Sequence, residues 1–218
     1  MTAVVPSHQR QSLSTERVLL SRIPWGTFQI LIRDLESQPS KRLTYDDGQL
    51  EIWMPLPPHE SYKRWLGRLV EILTEELDIE IRSLGSTTWT RQDLVKGVEA
   101  DECYYIQNER VVRGRMDIDL TVDPPPDLAI EIDITSLSIP RLPIYAALKV
   151  PEVWRFDGEQ LEFLQLVDDK YQVIAQSLAL PCIQPVDVLG LLNRIGEMGE
   201  TSWAKAVRSW AREQRSTQ

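Results

Sequence analysis

This chain of 218 residues holds only two cysteines and two histidines, the residues from which zinc sites are mostly built. No Cys/His cluster has zinc spacing, which excludes a zinc-finger framework. Cys103 and Cys182 make no disulfide framework, and reduced thiols are expected. Glycine is scarce, at 10 residues, and no glycine loop is placed to cradle phosphate. No apolar run approaches the ~20 residues of a membrane span. The first twenty residues lack a basic segment followed by an apolar one, so no signal peptide and a cytoplasmic protein are expected. Neither internal repeats nor low-complexity tracts occur. Positive charge is short as well: 24 Lys and Arg face 33 Asp and Glu, a net charge of -9. Phosphate contacts dominate nucleic-acid affinity, so this balance argues against tight non-specific binding. The deficit is uneven. Residues 1–22 carry +2 and residues 201–218 carry +3, so the body between them carries -14.

What is present suits one domain with a sizeable core, from a hydrophobic content of 42%. The chain is organised around Asp127-Leu128-Ala129-Ile130-Glu131-Ile132-Asp133-Ile134. Strict alternation predicts a half-buried strand with its even, mostly β-branched residues facing a core. The odd face then lines up Asp127, Glu131 and Asp133. Like charges so placed repel. A divalent cation such as Mg²⁺, which takes hard oxygen ligands, removes the conflict; a solvated acidic face is the alternative. Pro124-Pro125-Pro126 fixes an extended approach. A short helix ending near Ala147 follows, and then a strand over Pro151 to Phe156. Strand, helix and strand read as a βαβ-like crossover.

The other elements follow from local signals. A helix is predicted from Pro24, and a hairpin over Arg42 to Met54 turning at Asp47-Gly48 in type I′ geometry. A long helix over His59 to Leu77 buries Leu66, Leu69, Val70, Leu73 and Leu77, with Glu75, Glu76 and Asp78 solvated at its end. Strands are expected at Ile79 to Leu84, Thr87 to Arg91 and Glu102 to Ile106, and one more around Asp117 to Val122. Leu161 to Val167 and Lys170 to Gln176 form a hairpin. Short helices close the chain at Pro185 to Leu192 and Ser202 to Arg215. The last has an apolar stripe of Trp203, Val207 and Trp210 and a basic stripe of Lys205, Arg208, Arg212 and Arg215. That helix is expected to dock with its basic face solvated, the alternative being phosphate or partner contact. Trp53, Trp65, Trp89 and Trp154 are read as core. Residues 1–22 form a polar arm, and His8 within it has no role.

PDLAIEI followed by IYAALKVPEVW, with DGQLEIWMPLPPHE and VEADECYYI upstream, resembles the Uma-two family of restriction endonucleases. That family is abundant in cyanobacteria and belongs to the PD-(D/E)XK nuclease superfamily. The resemblance spans roughly residues 24 to 190. It implies an α/β, restriction-endonuclease-like fold with a central mixed sheet flanked by helices, and Mg²⁺-dependent (or Mn²⁺-dependent) hydrolysis of DNA phosphodiester bonds. Asp101 takes the place of the motif aspartate and Glu131 that of the motif glutamate. Both are metal ligands by this reading, with the Ile132 carbonyl as a third. The usual lysine position holds Asp133. A family lysine supplied from the following helix corresponds to Arg141, ranked above Lys149. Arginine offsets phosphoryl charge bidentately but does not act as a base, so water activation falls to the metal, with Asp133 ordering the water or a second ion. Glu51 and His59 match a family acid and histidine of second rank. His59, at a helix start, is expected to be neutral because the dipole disfavours imidazolium. Glu71 is a further auxiliary acid.

The implied domain limits are an arm over 1–22, a nuclease-like domain over 23–195 and a C-terminal amphipathic helix over 196–218. A homodimer is expected, because two DNA strands need two sites. One rival is a nuclease-fold protein without catalysis that acts as a binding module; a lysine restored at 133 would raise activity only in an enzyme. Another is a phosphatase or nucleotide hydrolase using the same carboxylates.

Overall fold

The computed structural model describes residues 16–35, 37, 40–134 and 138–216. The expected arm up to residue 15 lies outside them, as does Thr135-Ser136. The strands form two sheets rather than the single central one expected. The first holds β1 (Arg17–Leu20), β2 (Arg42–Asp46), β3 (Gln49–Trp53), β5 (Thr88–Arg91) and β6 (Lys96–Glu99), in the order β1-β3-β2-β6-β5 and wholly antiparallel. The second holds β4 (Arg82–Ser83), β7 (Glu102–Tyr105), β8 (Leu128–Ile132), β9 (Glu152–Phe156), β10 (Leu161–Val167) and β11 (Lys170–Ile174), in the order β11-β10-β9-β8-β7-β4. Only β8 and β9 run parallel, joined by the expected crossover through α4 (Leu142–Ala147). Residues Arg17–Leu20, assigned to the arm by sequence, pair with β3.

Local chemistry sets the turns. At Asp47 and Gly48 φ is 43° and 82°, the two positive values that a type I′ hairpin needs. Asp168 and Asp169 repeat this at 45° and 65° between β10 and β11. The short helix α3 (Glu109–Val112) comes before residues 117–122, where no strand forms. There the Asp119 carboxylate accepts from Thr121 N at 2.9 Å and the Asp123 carboxylate from Asp119 N at 2.9 Å. Short acidic side chains capture the amides that a ladder would need.

β8 is buried on both faces, not half-buried. Leu128, Ile130 and Ile132 pack with Leu66, Leu69 and Leu73 of α2 (Pro57–Leu77), with Val188 and Leu191 of α5 (Pro185–Asn193), and with Trp203 and Val207 of α6 (Glu200–Ser216). Each such large apolar side chain contributes about 1.5–3 kcal/mol on burial. Ala129 packs on the opposite side with Ile144 and Tyr145 of α4. The first sheet is covered by α1 (Trp25–Leu35), whose Phe28 stacks on Tyr45 at 4.6 Å. The acidic end of α2 is exposed at Glu75 and Asp78, as expected, and it is also paired. Glu76 pairs with Arg212 at 2.7 Å and Glu75 with Arg208 at 2.8 Å, so the basic stripe of α6 faces α2.

Candidate active site

The chain passes from the first sheet to the second at Ala100-Asp101, between β6 and β7. That corner buries Asp101 completely. Its Oδ2 accepts hydrogen bonds from the backbone N–H of Ile132 at 2.8 Å and from His59 Nε2 at 3.1 Å. Its Oδ1 is buried without a hydrogen-bond partner. Because β7 and β8 are neighbours, the peptide that caps Asp101 directly follows Glu131. Two carboxylates from different elements therefore meet at one point of β8.

Glu131 is held from α4. Arg141, the residue before that helix, donates to one carboxylate oxygen and the Tyr145 hydroxyl donates to the other. Residues four apart share a helix face, so one helix start delivers both donors. Arg141 Nη1 also lies 4.0 Å from Asp101 Oδ2. Beneath them Trp53, at the end of β3, presents its ring 5.1 Å from the Arg141 guanidinium carbon and edge-on to His59 at 5.1 Å. The cluster opens on a cavity of about 650 Å³ bordered by Glu131, Asp133, Arg141 and Arg155.

Burial raises the Glu131 carboxyl to about 7, with the Arg141 charge opposing the rise. Asp101 is equally buried, yet the His59 hydrogen bond and the nearby cations hold it below the usual carboxylate range. His59 is not the neutral imidazole expected. Burial disfavours its charge, but Asp101 and Glu60 outweigh burial and lift it to about 9. Its Nδ1 lies 3.4 Å from Glu60 Oε1, without an aligned hydrogen bond. Burial also raises Asp133. Burial raises Tyr145 well above its ordinary range, so its phenol stays a proton donor.

The expected residues divide. Asp101, Glu131, Arg141 and His59 converge, and Asp133 borders the same cavity just beyond β8. Glu51 does not join them. It is fully buried, accepts from Ser138 N at 2.9 Å and Ile139 N at 3.3 Å, and meets Arg17 at 3.2 Å. It thereby ties β3 to the segment that leads into Arg141. Asp127 is turned to structure as well, accepting from Ile106 N at 2.7 Å and from Asn108 N at 2.9 Å. The expected row of three carboxylates is thus reduced to Glu131 and Asp133. Lys149 pairs with Asp169 in an exposed turn. Glu71 borders a separate hollow beside Thr74 and Glu75. Trp53, Trp89 and Trp154 are buried as expected. His8 lies outside the described residues.

Sequence reasoning missed Tyr145 and Arg155. The i, i+4 spacing of Arg141 and Tyr145 was a usable signal. Arg155 stands directly across from Glu131 in the parallel β8–β9 register, which only the pairing reveals.

Among the described residues no group of three or more His, Cys, Asp and Glu side chains could hold a metal ion. Magnesium, however, is commonly held through one or two carboxylates, with water and substrate oxygens completing its shell. Asp101 and Glu131 fit that donor chemistry, and the unpartnered Asp101 Oδ1 is an available oxygen. No helix among the described residues is long and apolar enough to cross a membrane. No curated protein matches the chain. The sequence profile of Uma2, described as "Putative restriction endonuclease", matches residues 26–192. The α/β architecture with its mixed second sheet is consistent with a restriction-endonuclease-like fold, a class that typically uses divalent metals. With most of its length matched, the chain belongs to the Uma2 family.

Proposed function

We propose that this protein is a metal-dependent endonuclease that hydrolyses DNA phosphodiester bonds at the Asp101–Glu131 pair. The observation that carries the reading is the meeting of these two buried carboxylates with Arg141 at the edge of a cavity. Asp101 and Glu131 would hold Mg²⁺ or Mn²⁺. Such an ion, when bound, supplies water activation and offsets phosphoryl charge. The chain's own residues do the rest. Protonated His59 keeps Asp101 ionised, and Tyr145 and Trp53 fix the Glu131 and Arg141 side chains. Asp133 and Arg155, bordering the same cavity, orient water and phosphate oxygens. Residues 23–195 form the nuclease unit by this reading, and two copies of the chain serve the two strands of a duplex.

One observation favours a second reading, a nuclease-fold protein that binds without cleaving. Both Glu131 oxygens are already engaged, and two acids face two cations, so the cluster balances its own charge. Calorimetric titration with Mg²⁺ and Mn²⁺ separates the two, run on wild type and Asp101→Ala/Glu131→Ala with plasmid nicking on the same samples. The endonuclease reading expects metal binding and metal-dependent nicking, both lost in the double variant. Metal binding without nicking favours the binding module. An absence of metal binding by the wild type removes the carboxylate site.

A further inference from the structure

The first sheet ends on β1, and among the described residues no strand pairs with its outer edge. The other sheet edges are guarded. β11 carries Lys170 and Gln172 exposed, β4 has only two residues, and beside β5 the Arg91 guanidinium donates to the Leu120 carbonyl at 3.1 Å. Charge, shortness and cover are the usual guards against edge pairing. β1 instead shows three consecutive apolar side chains, Val18, Leu19 and Leu20, which are 52%, 47% and 38% exposed. Successive strand residues face opposite sides of a sheet, so β1 is apolar and open on both. A helix or loop laid on the sheet covers one side. A strand added along the edge covers part of both, and it also takes up the open peptide groups.

The backbone limits the register of such a strand. The Met54 N–H donates to the Glu16 carbonyl at 3.1 Å, one step before Arg17 meets Trp53 in the β1–β3 ladder. Hydrogen-bonding direction alternates along an antiparallel strand. Glu16, Val18 and Leu20 therefore turn their peptide groups to β3, while Arg17, Leu19 and Ser21 turn theirs to the open edge. A second β1 must match edge-facing residues with edge-facing ones. Leu19 centred on the partner's Leu19 meets that condition. Val18 then faces the partner's Leu20, twice by symmetry. On the same side of the sheet, Glu16 comes opposite the partner's Arg22, again twice. Both side chains are exposed, and neither joins an ion pair among the described residues. A shift of two residues either way keeps the backbone match, but sets Glu16 against Leu20 or Val18 against Arg22. The apolar run and its flanking charges are thus self-complementary in one register, as a two-fold interface requires.

We propose that β1 is a dimerisation strand, pairing antiparallel with β1 of a second copy about Leu19 and joining two five-stranded sheets into one. The two-fold axis stands normal to the sheet, so both copies turn their Trp53 face, and with it the carboxylate cluster, to the same side. The proposal takes from the endonuclease reading only the need for two copies, and its test needs no catalysis. Sedimentation equilibrium of the full chain, without DNA or metal, is followed from micromolar to millimolar concentration. The wild type is expected to dimerise. Leu19→Pro removes an N–H that β3 does not use, and should leave a folded monomer. Glu16→Arg sets arginine against arginine twice and should weaken the dimer about tenfold; Glu16→Arg/Arg22→Glu should restore it. Circular dichroism establishes that each variant is folded, and the charge variants keep the test open if Leu19→Pro is not. A monomeric wild type overturns the proposal and leaves the edge to another segment or partner. So does a folded Leu19→Pro that dimerises like wild type, or a double charge variant no tighter than the single one. A monomer that nicks plasmid would leave the endonuclease reading standing. A dimer broken by these variants that never nicks would uphold the interface and sink the nuclease.

Discussion

Around Asp101 and Glu131 the paired charges are out of water, whereas at the far end of α2 they stand in it. In the first region the side chains of Asp101, Glu131, Arg141 and His59 are each 5% exposed or less. In the second, Glu75, Arg208 and Arg212 are 60%, 39% and 66% exposed, with Glu76 at 13% between them. The residue types are nearly the same, and the consequences are opposite. Buried charges cost heavily when a partner is lost, because the survivor has no water to return to. Exposed pairs exchange one set of polar contacts for another and are screened by salt. A site that performs chemistry needs the first kind, since fixed charge in a dry pocket is felt strongly by whatever enters it. Docking a terminal helix needs only the second.

The sharpest way to break that contrast is to remove one buried partner. Arg141→Ala is expected to destabilise the fold by about 3–5 kcal/mol, the range for orphaning a buried charge. Replacing both partners, as Arg141→Met with Glu131→Leu, should recover most of that loss, because the desolvated pair is exchanged for packing. Denaturant unfolding of the single and double variants gives the answer. A single variant that loses as little as an exposed pair would show the cluster to be wetter than its burial implies.

A smaller effect concerns pH. His59 is lifted to about 9 in the fold from 6.5. A group whose folded value is raised gives stability that is complete below the unfolded value and lost as pH climbs through the folded one. Glu131, lifted from 4.5 to about 7, acts in the same direction over a lower window. The native protein therefore binds more protons than the unfolded chain between about pH 4.5 and 9, and stability declines as pH rises across that span. Calorimetric melting at intervals over that range should show the decline. His59→Gln should flatten its upper half and leave the lower half sloped. A rise in melting temperature between pH 6.5 and 9 would contradict the protonated imidazole.

The same contrast explains what the sequence could reveal. Features set within a few residues were legible: the Asp47-Gly48 turn, the alternation of β8, and the apolar stripes of α2 and α6. Asp101, Glu131 and Arg141 were legible through motif resemblance, and they do converge. What escaped depends on which element covers which face. Alternation says that β8 has two faces, but not that α4 lies over the acidic one. Asp127 and Glu131 share a face and look alike in sequence. One meets the amides of Ile106 and Asn108, the other a guanidinium and a phenol. The helix dipole predicted a neutral His59, but two carboxylates, one of them 42 residues away in sequence, decide otherwise. Arg155 enters only through the register of a parallel pair.

The smallest expected effect lies at the exposed cluster, and it tests the comparison from its weak side. Glu76 receives Arg208 at 3.0 Å and Arg212 at 2.7 Å, and those guanidinium groups hold its carboxyl below the usual range. Yet α6 also docks through Trp203, Val207 and Ala211, all buried, with the Trp203 indole N–H donating to the Leu191 carbonyl at 2.7 Å. If the apolar stripe carries the docking, Glu76→Gln should shift the melting temperature only slightly at low salt. At about 1 M salt, where the screening length is near 3 Å, the shift should vanish. Trp203→Ala should destabilise the protein at both salt concentrations, because apolar burial is not screened. If Glu76→Gln instead matched Trp203→Ala and kept its effect in high salt, those ion pairs would be acting as buried ones. The division between a dry cluster for chemistry and a wet one for docking would then fail.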